Sequence, residues 1–523
     1  MHSKRSLIIA LRVISFAVTV SLNLQGVSQK VSSLPRSNPE AEGVSSKAII
    51  EFLDAIPNTN NEFHSFMILR HGKVVAEGWW KPYSANLKHT MYSVSKSFTA
   101  TAVGFAVAEK RISVDDKVIS FFPEDLPDSV SPYLSELRIK DLLSMSVGQA
   151  PDPTGEVSAN NDNWVKGFFK IPILYQPGSK FLYNSAATFM LSAIVQKVTG
   201  QRTLDYLQTR LFNPLGISGI DWEINPQKIN VGGWGLRLKT EDMAKFGQLF
   251  LQKGKWNGKQ VIPASWVEDA STKKIDQDPT ASQARKDSSD WLQGYCYQMW
   301  RSRNNSYRGD GAFGQFIIVL PEKDAVIVIT SETPNMQSEF NLVWKYLLPA
   351  FHDGKLPADE DAVKILKKKI NNLALPLTVS VPAAIEKNIS GKTFNVNDGR
   401  RNATVNFEFK NGVCYVEVKN DSAAYKIGFG SGKWVMGETK KSGPYLVARA
   451  RANRSEISSY KIAGSYSWKT ENVLELVLRY IESPHTETIR CSFDGNNLKM
   501  EFENSFNKAV SSTLTGSSEP SSR

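Results

Sequence analysis

The chain has 523 residues, 41% of them hydrophobic and 22% charged, so it is too long for a single compact core and predicts two or three globular domains. The formal net charge of +11 would suit a nucleic-acid-binding protein, but the basic residues are scattered and no nucleic-acid-binding motif occurs. The densest basic run, "KILKKKI" (364–370), mixes lysines with apolar residues, as the solvated face of a helix does. We therefore expect no nucleic-acid partner.

The N-terminus has the features of a secretory signal. A short basic segment, "MHSKR", precedes an apolar run that Arg12 interrupts, and Gly26 and Ser28 have the size and spacing that signal peptidase recognises. An uncleaved anchor is the alternative, but the uninterrupted part of the run is short for a membrane span. We expect residues 1–28 to be a signal peptide, and we expect the protein to contact a membrane only through this segment. The protein would then be exported to a bacterial periplasm or the extracellular space.

The next elements are predicted to be a β-hairpin and a buried helix. "HSFMILRHGKVVAEG" has two extended runs, with His71, Gly72 and Lys73 at the turn between them. A helix is expected from about Ser93, because residues 98–109 have the small and apolar side chains of a buried helix.

Helices and strands alternate further along the chain. "TFMLSAIVQKVTG" predicts a helix that ends at Gly200. In "LKTEDMAKFGQLFLQKG", Thr240 is the expected N-cap, with Glu241 and Asp242 in the first turn, where the helix dipole favours anions. The strands "GQFIIVLP" and "DAVIVITS" follow, separated by a "PEKD" turn.

The pattern changes after residue 355. Residues 356–384 contain a helix framed by prolines and are interpreted as a helical linker. Residues 385–508 alternate apolar and polar side chains, with a hairpin turn at Asn411 and Gly412, and predict an antiparallel β domain, either a barrel or a sandwich. The low-complexity residues 509–523 are expected to be a disordered tail.

Cysteine and histidine are too sparse for a disulfide framework or a tightly specified metal site. The three cysteines are Cys296, Cys414 and Cys491, and the last two lie in the same region and could pair. The six histidines are dispersed, and neither HExxH nor CxxC occurs. We predict no metal ligands and no cofactor.

Ser93 and Lys96 in "YSVSKSF" are candidates for a nucleophile and its base. Residues three apart share a face of a helix, and a serine at the helix N-terminus lies where the dipole stabilises an oxyanion. A desolvated lysine can accept the serine proton. S-x-x-K occurs four times, at Ser93, Ser271, Ser458 and Ser505, but only Ser93 precedes a small, apolar, buried-looking helix.

Two further segments could complete such a site. Tyr183, in "FLYNSAATFML", precedes a predicted helix, and a phenol beside a lysine ammonium is acidified and can relay protons. In "YRGDGAFGQFIIVLP", glycines precede a strand and would let its backbone approach a ligand. One N–H of that strand, beside the N–H of Ser93, would form an oxyanion hole. Each segment alone has an ordinary structural explanation, as a core tyrosine or a glycine-rich turn.

Taken together, these segments resemble the beta-lactamase-related serine hydrolases over roughly residues 36–355. This family includes class C beta-lactamases, D-alanyl-D-alanine carboxypeptidases, family VIII esterases and 6-aminohexanoate-dimer hydrolases. The resemblance implies a mixed α/β domain, with an antiparallel sheet flanked by helices and a helical lobe. It also implies that Ser93 is the acylated nucleophile, Lys96 its base and Tyr183 the proton relay.

Two departures from the family pattern bear on the substrate. Where beta-lactamases have Tyr-x-Asn, this chain has Tyr183, Asn184 and Ser185, so Ser185 replaces an amide that holds a substrate side chain. The third motif lacks the usual Lys or His beside Gly311, and Asp310 stands there instead. We expect an anion at this place to repel beta-lactams or to attract an ammonium group.

The sequence therefore predicts an exported serine hydrolase that cleaves an ester or amide bond without a cofactor. The substrate-binding and oxyanion-stabilising residues are predicted to be Ser185, Gly309, Asp310, Gly311 and Ala312. A small molecule or peptide is the expected substrate. The alternatives are a D-amino-acid peptidase or carboxypeptidase acting on cell-wall peptides, and a catalytically silent protein that binds peptidoglycan or another ligand.

Overall fold

The computed structural model of the protein describes residues 33–400, 402–421, 423–453 and 459–518. The predicted signal peptide and residues 519–523 of the predicted tail lie outside these ranges. Among the helices of the described ranges, none has both the length and the apolar character needed to cross a membrane.

The N-terminal domain is organised around one antiparallel sheet. Its strands are β1 (Glu62–Arg70), β2 (Lys73–Trp79), β3 (His89–Thr90), β4 (Asp221–Trp222), β5 (Leu236–Leu238), β6 (Lys255–Trp256), β7 (Lys259–Gln260), β8 (Trp300–Ser302), β9 (Ser306–Gly311), β10 (Gln315–Leu320) and β11 (Ala325–Glu332). Six of these strands form the main sheet in the order β2-β1-β11-β10-β9-β8. Strands β3, β5 and β4 form a small sheet, and β6 pairs with β7.

Helices cover both faces of this sheet and form a separate lobe. They are α1 (Ser46–Ala55), α2 (Ser95–Ala108), α3 (Pro132–Glu136), α4 (Ile139–Leu143), α5 (Thr154–Asn160), α6 (Trp164–Lys170), α7 (Ser185–Thr199), α8 (Thr203–Leu207), α9 (Asn213–Leu215), α10 (Thr240–Leu251), α11 (Ala264–Ser271), α12 (Gln283–Ser288), α13 (Met336–Leu342) and α14 (Glu360–Asn371). Because alternate residues of a strand face opposite sides, the sheet separates two cores. Val326 and Val328 pack in the core that includes α2 and α10, whereas Ile327 and Ile329 pack in the core that includes α1 and α13.

Most of the elements predicted for this domain are confirmed. The β1–β2 hairpin turns at His71 and Gly72, α7 ends at Gly200, and β10 and β11 flank the predicted turn. One detail is wrong: Thr240 is the first residue of α10 and not its N-cap. Its hydroxyl lies 2.8 Å from Ser65 Oγ and accepts the Trp79 indole N–H, so it ties the helix to the sheet.

The predicted linker helix, α14, is fixed on the N-terminal domain. Leu366 is buried in the same core as α1, and Lys369 Nζ donates to Asp54 Oδ1 of α1 at 2.5 Å. Lys364 and Lys367 are exposed, which confirms the solvated basic face.

The C-terminal domain is a β-barrel that begins after a short helix, α15 (Glu386–Ile389). Its strands are β12 (Thr393–Asn397), β13 (Asn402–Lys410), β14 (Val413–Lys419), β15 (Ala424–Ser431), β16 (Val435–Thr439), β17 (Tyr460–Thr470), β18 (Val473–Tyr480), β19 (Thr486–Asp494), β20 (Asn497–Asn504) and β21 (Val510–Ser518). Nine of these strands form a ring that β15 and β17 close by a parallel pairing, and β16 pairs with β17 outside the ring. The fold class predicted from the sequence, a mixed α/β domain followed by an antiparallel β domain, is confirmed, with the barrel as the form observed.

The prediction of a disordered tail from residue 509 is wrong for residues 510–518. These residues form β21, which pairs with β20 on one side and β12 on the other. Most side chains of the strand are polar and exposed, and its backbone hydrogen bonds to β12 and β20 join it to the barrel. The low complexity of these residues is therefore not a sign of disorder.

The barrel interior is apolar and contains two of the cysteines. Cys414 and Cys491 are both buried free thiols, and Cys296 is likewise free in the N-terminal domain. Cys414 and Cys491 belong to the same buried cluster as Phe407 and Phe493, whose ring centroids lie 5.4 Å apart. The possible pairing of Cys414 with Cys491 is not made.

The barrel is attached to the N-terminal domain by buried polar contacts. Arg479 of β18 makes a bidentate ion pair with Glu62 of β1, at 2.6 and 3.0 Å. Glu482 accepts a hydrogen bond from Arg237 at 3.2 Å, and its carbonyl accepts the Thr90 N–H at 3.0 Å. The turn between β18 and β19 therefore lies against the N-terminal domain.

Candidate active site

Ser93 lies in a short 3₁₀ turn, Tyr92–Val94, that leads directly into α2. The helix itself begins two residues later than Ser93, so the predicted helix start is slightly early. The first N–H groups of a helix have no intrahelical acceptor, and the positive end of the helix dipole favours negative charge. Ser93 is half-buried at this end of α2.

Lys96 is held by three oxygen acceptors from different parts of the chain. Its Nζ lies 3.0 Å from Ser93 Oγ, 2.8 Å from Ser185 Oγ and 2.8 Å from the Gly233 carbonyl oxygen. The side chain is almost completely buried. One turn of helix therefore separates the serine from an enclosed amine, as the S-x-x-K spacing predicts.

Burial changes the protonation of Lys96. Desolvation lowers the pKa of its ammonium from 10.5 to about 7, although the negative charges of Asp152 and Asp310 act in the opposite direction. A large fraction of the amine is therefore neutral near pH 7. In that form Nζ can accept the hydroxyl proton of Ser93 instead of donating to it.

Tyr183 lies beside the same hydroxyl. Its phenol is hydrogen-bonded to Ser93, and its ring centroid lies 4.8 Å from Lys96 Nζ. The ring also stacks on Trp300, with centroids 5.5 Å apart. The expectation that the lysine acidifies this phenol is wrong, because burial raises the pKa of Tyr183 well above its usual value. Tyr183 therefore stays protonated at neutral pH and can donate a proton.

The residues after Tyr183 are divided between the site and the helix. Ser185, the first residue of α7, accepts a hydrogen bond from Lys96. Asn184 is buried as the N-cap: its Oδ1 accepts the Ala187 N–H at 3.1 Å, and its Nδ2 donates to Gln149. Asn184 therefore points away from Ser93, whereas Ser185 helps to place the amine.

The glycine-rich strand β9 lies against the turn that carries Ser93. A Cβ atom on Gly311 would lie 2.3 Å from the Met91 carbonyl oxygen, and one on Gly309 would lie 3.3 Å from Ser97 Oγ. Only a residue without a side chain fits at Gly311. Ala312 follows at the end of this strand and is half-buried.

Asp310 does not present a free anion to the substrate, contrary to the expectation from the sequence. It lies on the face of β9 opposite to the two glycines, only 8% exposed, and accepts a hydrogen bond from Arg308 Nε at 2.8 Å. Arg308 is fully buried and also donates to the Asp290 carbonyl and to Ser302 Oγ. Desolvation raises the pKa of Asp310, and the Arg308 guanidinium opposes this shift.

Two residues of the site were missed by the sequence analysis. The Gly233 carbonyl is a direct partner of Lys96, and the glycine pair in "VGGWG" was its only sequence signal. Asp152 is exposed, its charge acts on Lys96, and its carboxylate accepts the N–H and hydroxyl of Thr154. Nothing in the sequence around Asp152 distinguishes it from other surface aspartates.

Comparison with known proteins finds a family match that lies within the N-terminal domain. A family model described as Beta-lactamase matches residues 64–350. A 6-aminohexanoate-dimer hydrolase of Paenarthrobacter ureafaciens is 28% identical over 292 residues, which cover 52% of this chain and 73% of the relative. A protein of Escherichia coli (strain K12) named as a D-alanyl-D-alanine carboxypeptidase is 29% identical over 143 residues, which cover 25% of this chain and 33% of that protein. The solved structure of an octameric penicillin-binding protein homologue from Pyrococcus abyssi aligns over 90% of this chain and 99% of its own, with 16% identity and a TM-score of 0.45.

Proposed function

The chain belongs to the beta-lactamase family and is a serine hydrolase, and from this premise we propose that it cleaves an ester or amide bond through an acyl-enzyme on Ser93. One observation carries the proposal. The buried Lys96 amine, with a pKa of about 7, lies 3.0 Å from Ser93 Oγ and can act as its base near neutral pH.

The proposed reaction has two stages. In the first, neutral Lys96 takes the hydroxyl proton while Ser93 Oγ bonds to the substrate carbonyl carbon. The N–H groups of Ser93 and Ala312 stabilise the oxyanion that forms. The carbonyl then re-forms as the bond to the leaving group breaks, Tyr183 donates a proton to that group, and Lys96 returns a proton to the phenol. In the second stage a water molecule, deprotonated by Lys96, attacks the acyl carbon. The bond from that carbon to Ser93 Oγ then breaks, and Lys96 returns the proton to Oγ.

A fluorophosphonate probe tests this proposal, because it phosphonylates only an activated serine. We expect stoichiometric labelling of the purified wild-type protein on Ser93 and none of Ser93→Ala. Ser271→Ala is the matched control, since Ser271 also precedes a lysine by three residues but lies on the surface helix α11. Absence of labelling, or equal labelling of Ser93→Ala, would contradict the proposal and favour the catalytically silent alternative.

The substrate class is proposed from the charges around Ser93. The buried Arg308–Asp310 pair leaves no net charge on β9, whereas Asp152 is an exposed anion whose field reaches Lys96. A substrate that carries an ammonium group would suit this arrangement, and an aminohexanoate amide or a D-amino-acid peptide with a free N-terminus has one. The relative named as a 6-aminohexanoate-dimer hydrolase supports the first of these candidates.

Export remains a proposal from the sequence. Residues 1–28 have the arrangement of a signal peptide, and we propose a periplasmic or extracellular location on that basis alone. N-terminal sequencing of the secreted protein after expression in a bacterial host would test it. A mature chain that still begins with Met1 would contradict cleavage.

We predict that short-chain p-nitrophenyl esters are cleaved efficiently and nitrocefin poorly. Within β9, all of which the structure describes, no accessible cation could meet the carboxylate of a beta-lactam. Arg308 is fully buried, and the residue beside Gly311 is Asp310. Ser185 is already engaged by Lys96. The kcat/KM values for both substrates measure the difference, and similar values would contradict it.

We also predict that activity rises with pH through about pH 7, as Lys96 loses its proton. The Asp152 carboxylate raises the pKa of Lys96, so Asp152→Asn should lower that pKa and move the acidic limb of the kcat/KM profile to lower pH. Asp128→Asn, at an exposed loop position, is the control and should leave the limb in place. An acidic limb of the kcat/KM profile that lies at the same pH in Asp152→Asn and in the wild type would contradict this interpretation.

A further inference from the structure

The C-terminal barrel contacts the residue that precedes Ser93. Tyr92 is only 2% exposed, and its hydroxyl lies 2.5 Å from Nε2 of His485, in the turn between β18 and β19. Nδ1 of His485 lies 2.7 Å from Glu332 Oε1, at the end of β11. His485 is fully buried and Glu332 is half-buried, so this row of hydrogen bonds runs through the domain interface largely shielded from solvent.

A carboxylate only accepts hydrogen bonds, so the short contact with Glu332 assigns a proton to Nδ1 of His485. Nδ1–H donates to the Glu332 carboxylate, which leaves Nε2 free to accept the Tyr92 hydroxyl proton. Ser505, in the turn after β20, also donates to Glu332 Oε1, at 2.6 Å. The barrel thus supplies the acceptor for Tyr92 and also helps to orient that acceptor.

Two residues beside the proposed oxyanion hole have a backbone conformation that is unfavourable for residues with a side chain. Tyr92, next to Ser93, has a φ of 44°, and Phe313, next to Ala312, has a φ of 66°. Both values lie in the left-handed region, which is strained for large side chains and persists only where packing imposes it. The strain therefore flanks the two N–H groups that are proposed to bind the oxyanion.

His485 contacts both of these residues. Its ring meets the Phe313 ring edge-to-face at a centroid distance of 4.8 Å, and Phe313 meets Tyr92 in the same manner at 5.7 Å. On its other side Tyr92 stacks on Tyr445, which lies in the segment between β16 and β17. The two strained positions are thus packed against each other and against residues of the barrel.

We propose that His485 is a positioning residue, contributed by the barrel, that holds Tyr92 and Phe313 and so fixes the N–H groups of Ser93 and Ala312 for catalysis. This inference rests on the proposed acyl-enzyme at Ser93. It gives the C-terminal domain a direct part in the reaction. Its effect is on the stabilisation of the transition state, because the two N–H groups interact most strongly with the oxyanion.

Matched pairs of variants of the full chain test this inference. Tyr92→Phe removes the hydrogen bond to His485, whereas Tyr83→Phe removes another buried phenol hydroxyl that donates to the same turn, at the Ser483 carbonyl, but is not adjacent to Ser93. His485→Gln places an amide where Nε2 stands and can still meet Tyr92. His485→Asn places its amide near Nδ1 and can meet only Glu332.

We expect Tyr92→Phe and His485→Asn to lower kcat and the rate of fluorophosphonate labelling by about 10- to 100-fold, with KM changed less than about twofold. Tyr83→Phe should keep the wild-type kcat, and His485→Gln should recover most of it. The thermal midpoints of the two tyrosine variants should be similar. Equal kcat values for Tyr92→Phe and Tyr83→Phe, or losses that follow the thermal midpoint alone, would overturn the inference. Failure to label wild-type Ser93 would instead overturn the proposed function, and the inference with it.

Discussion

Replacement of Lys96 by methionine is expected to lower kcat/KM by about 10²- to 10⁴-fold, the usual contribution of a general base. Methionine fills a similar volume in the buried site but cannot accept the Ser93 proton. The hydrogen bonds to Ser185 and to the Gly233 carbonyl would also be lost, so the labelling rate should fall with kcat. Steady-state kinetics on a p-nitrophenyl ester and the fluorophosphonate labelling rate both measure the change.

Two controls test whether the loss of activity comes from the loss of the base, from the loss of the positive charge or from any change to an S-x-x-K lysine. Lys96→Arg keeps a cation in the site but remains protonated at every accessible pH, so it should lose as much activity as Lys96→Met. Lys274→Met alters the lysine of the surface S-x-x-K at Ser271, which pairs with Asp269, and should leave the kinetics unchanged. Activity of Lys96→Arg close to that of the wild type would show that the amine is not the base.

Removal of the Asp310 carboxylate is expected to destabilise the protein by about 3–5 kcal/mol, because it leaves a fully buried guanidinium without its anion. Arg308 lies within the core, over the Trp291 ring at 4.6 Å and the Phe340 ring at 4.7 Å, and cannot move to water without disrupting it. Asp310→Ala should therefore lower the urea midpoint of the N-terminal domain, followed by tryptophan fluorescence.

The matched control for Asp310→Ala is an exposed ion pair of similar length. Asp115 accepts from Lys140 at 2.7 Å, but both side chains are largely open to solvent, so Asp115→Ala should cost less than about 1 kcal/mol. Equal shifts in the two variants would show that the Arg308–Asp310 pair contributes no more than a surface contact. Asp310→Asn, which can still accept one hydrogen bond, should lie between the two.

Much of the N-terminal domain could be predicted because its signals are local. The extended runs on either side of His71 and Gly72, and the glycine after α7, fix a hairpin and a helix end within a few residues. The pairing of Ser93 with Lys96 is equally local, since one helical turn separates them. Residues 64–350 match the Beta-lactamase model, which agrees with the extent of the resemblance seen in the motifs.

The errors have physical causes that a linear pattern does not contain. Asp310 was interpreted as an exposed anion because the sequence does not show that Arg308, two residues earlier on the same face of β9, neutralises it. The acidity of Tyr183 was misjudged because burial raises the pKa of its phenol. Strand β21 was missed because a mostly polar strand can still pair through its backbone with β12 and β20.

The contact between Tyr92 and His485 could not be predicted at all. The two residues are 393 positions apart, and His485 lies in a turn that has no catalytic motif. Only the packing of the barrel on the N-terminal domain brings them together. Sequence reasoning therefore assigned the barrel no role in the site.

The pairing of β12 with β21 also constrains when the protein can become active during its synthesis. Val396 pairs with Gly516, so the first barrel strand has no partner on that edge until nearly all of the barrel sequence has been made. Such long-range strand pairing is slow, because the intervening loop must close before its contacts form. The N-terminal domain can assemble earlier, as local helices and hairpins do. If His485 positions Tyr92 as inferred, a nascent chain would then carry a complete serine and lysine pair with a poorly ordered oxyanion site, and hydrolysis would stay slow until the barrel closes.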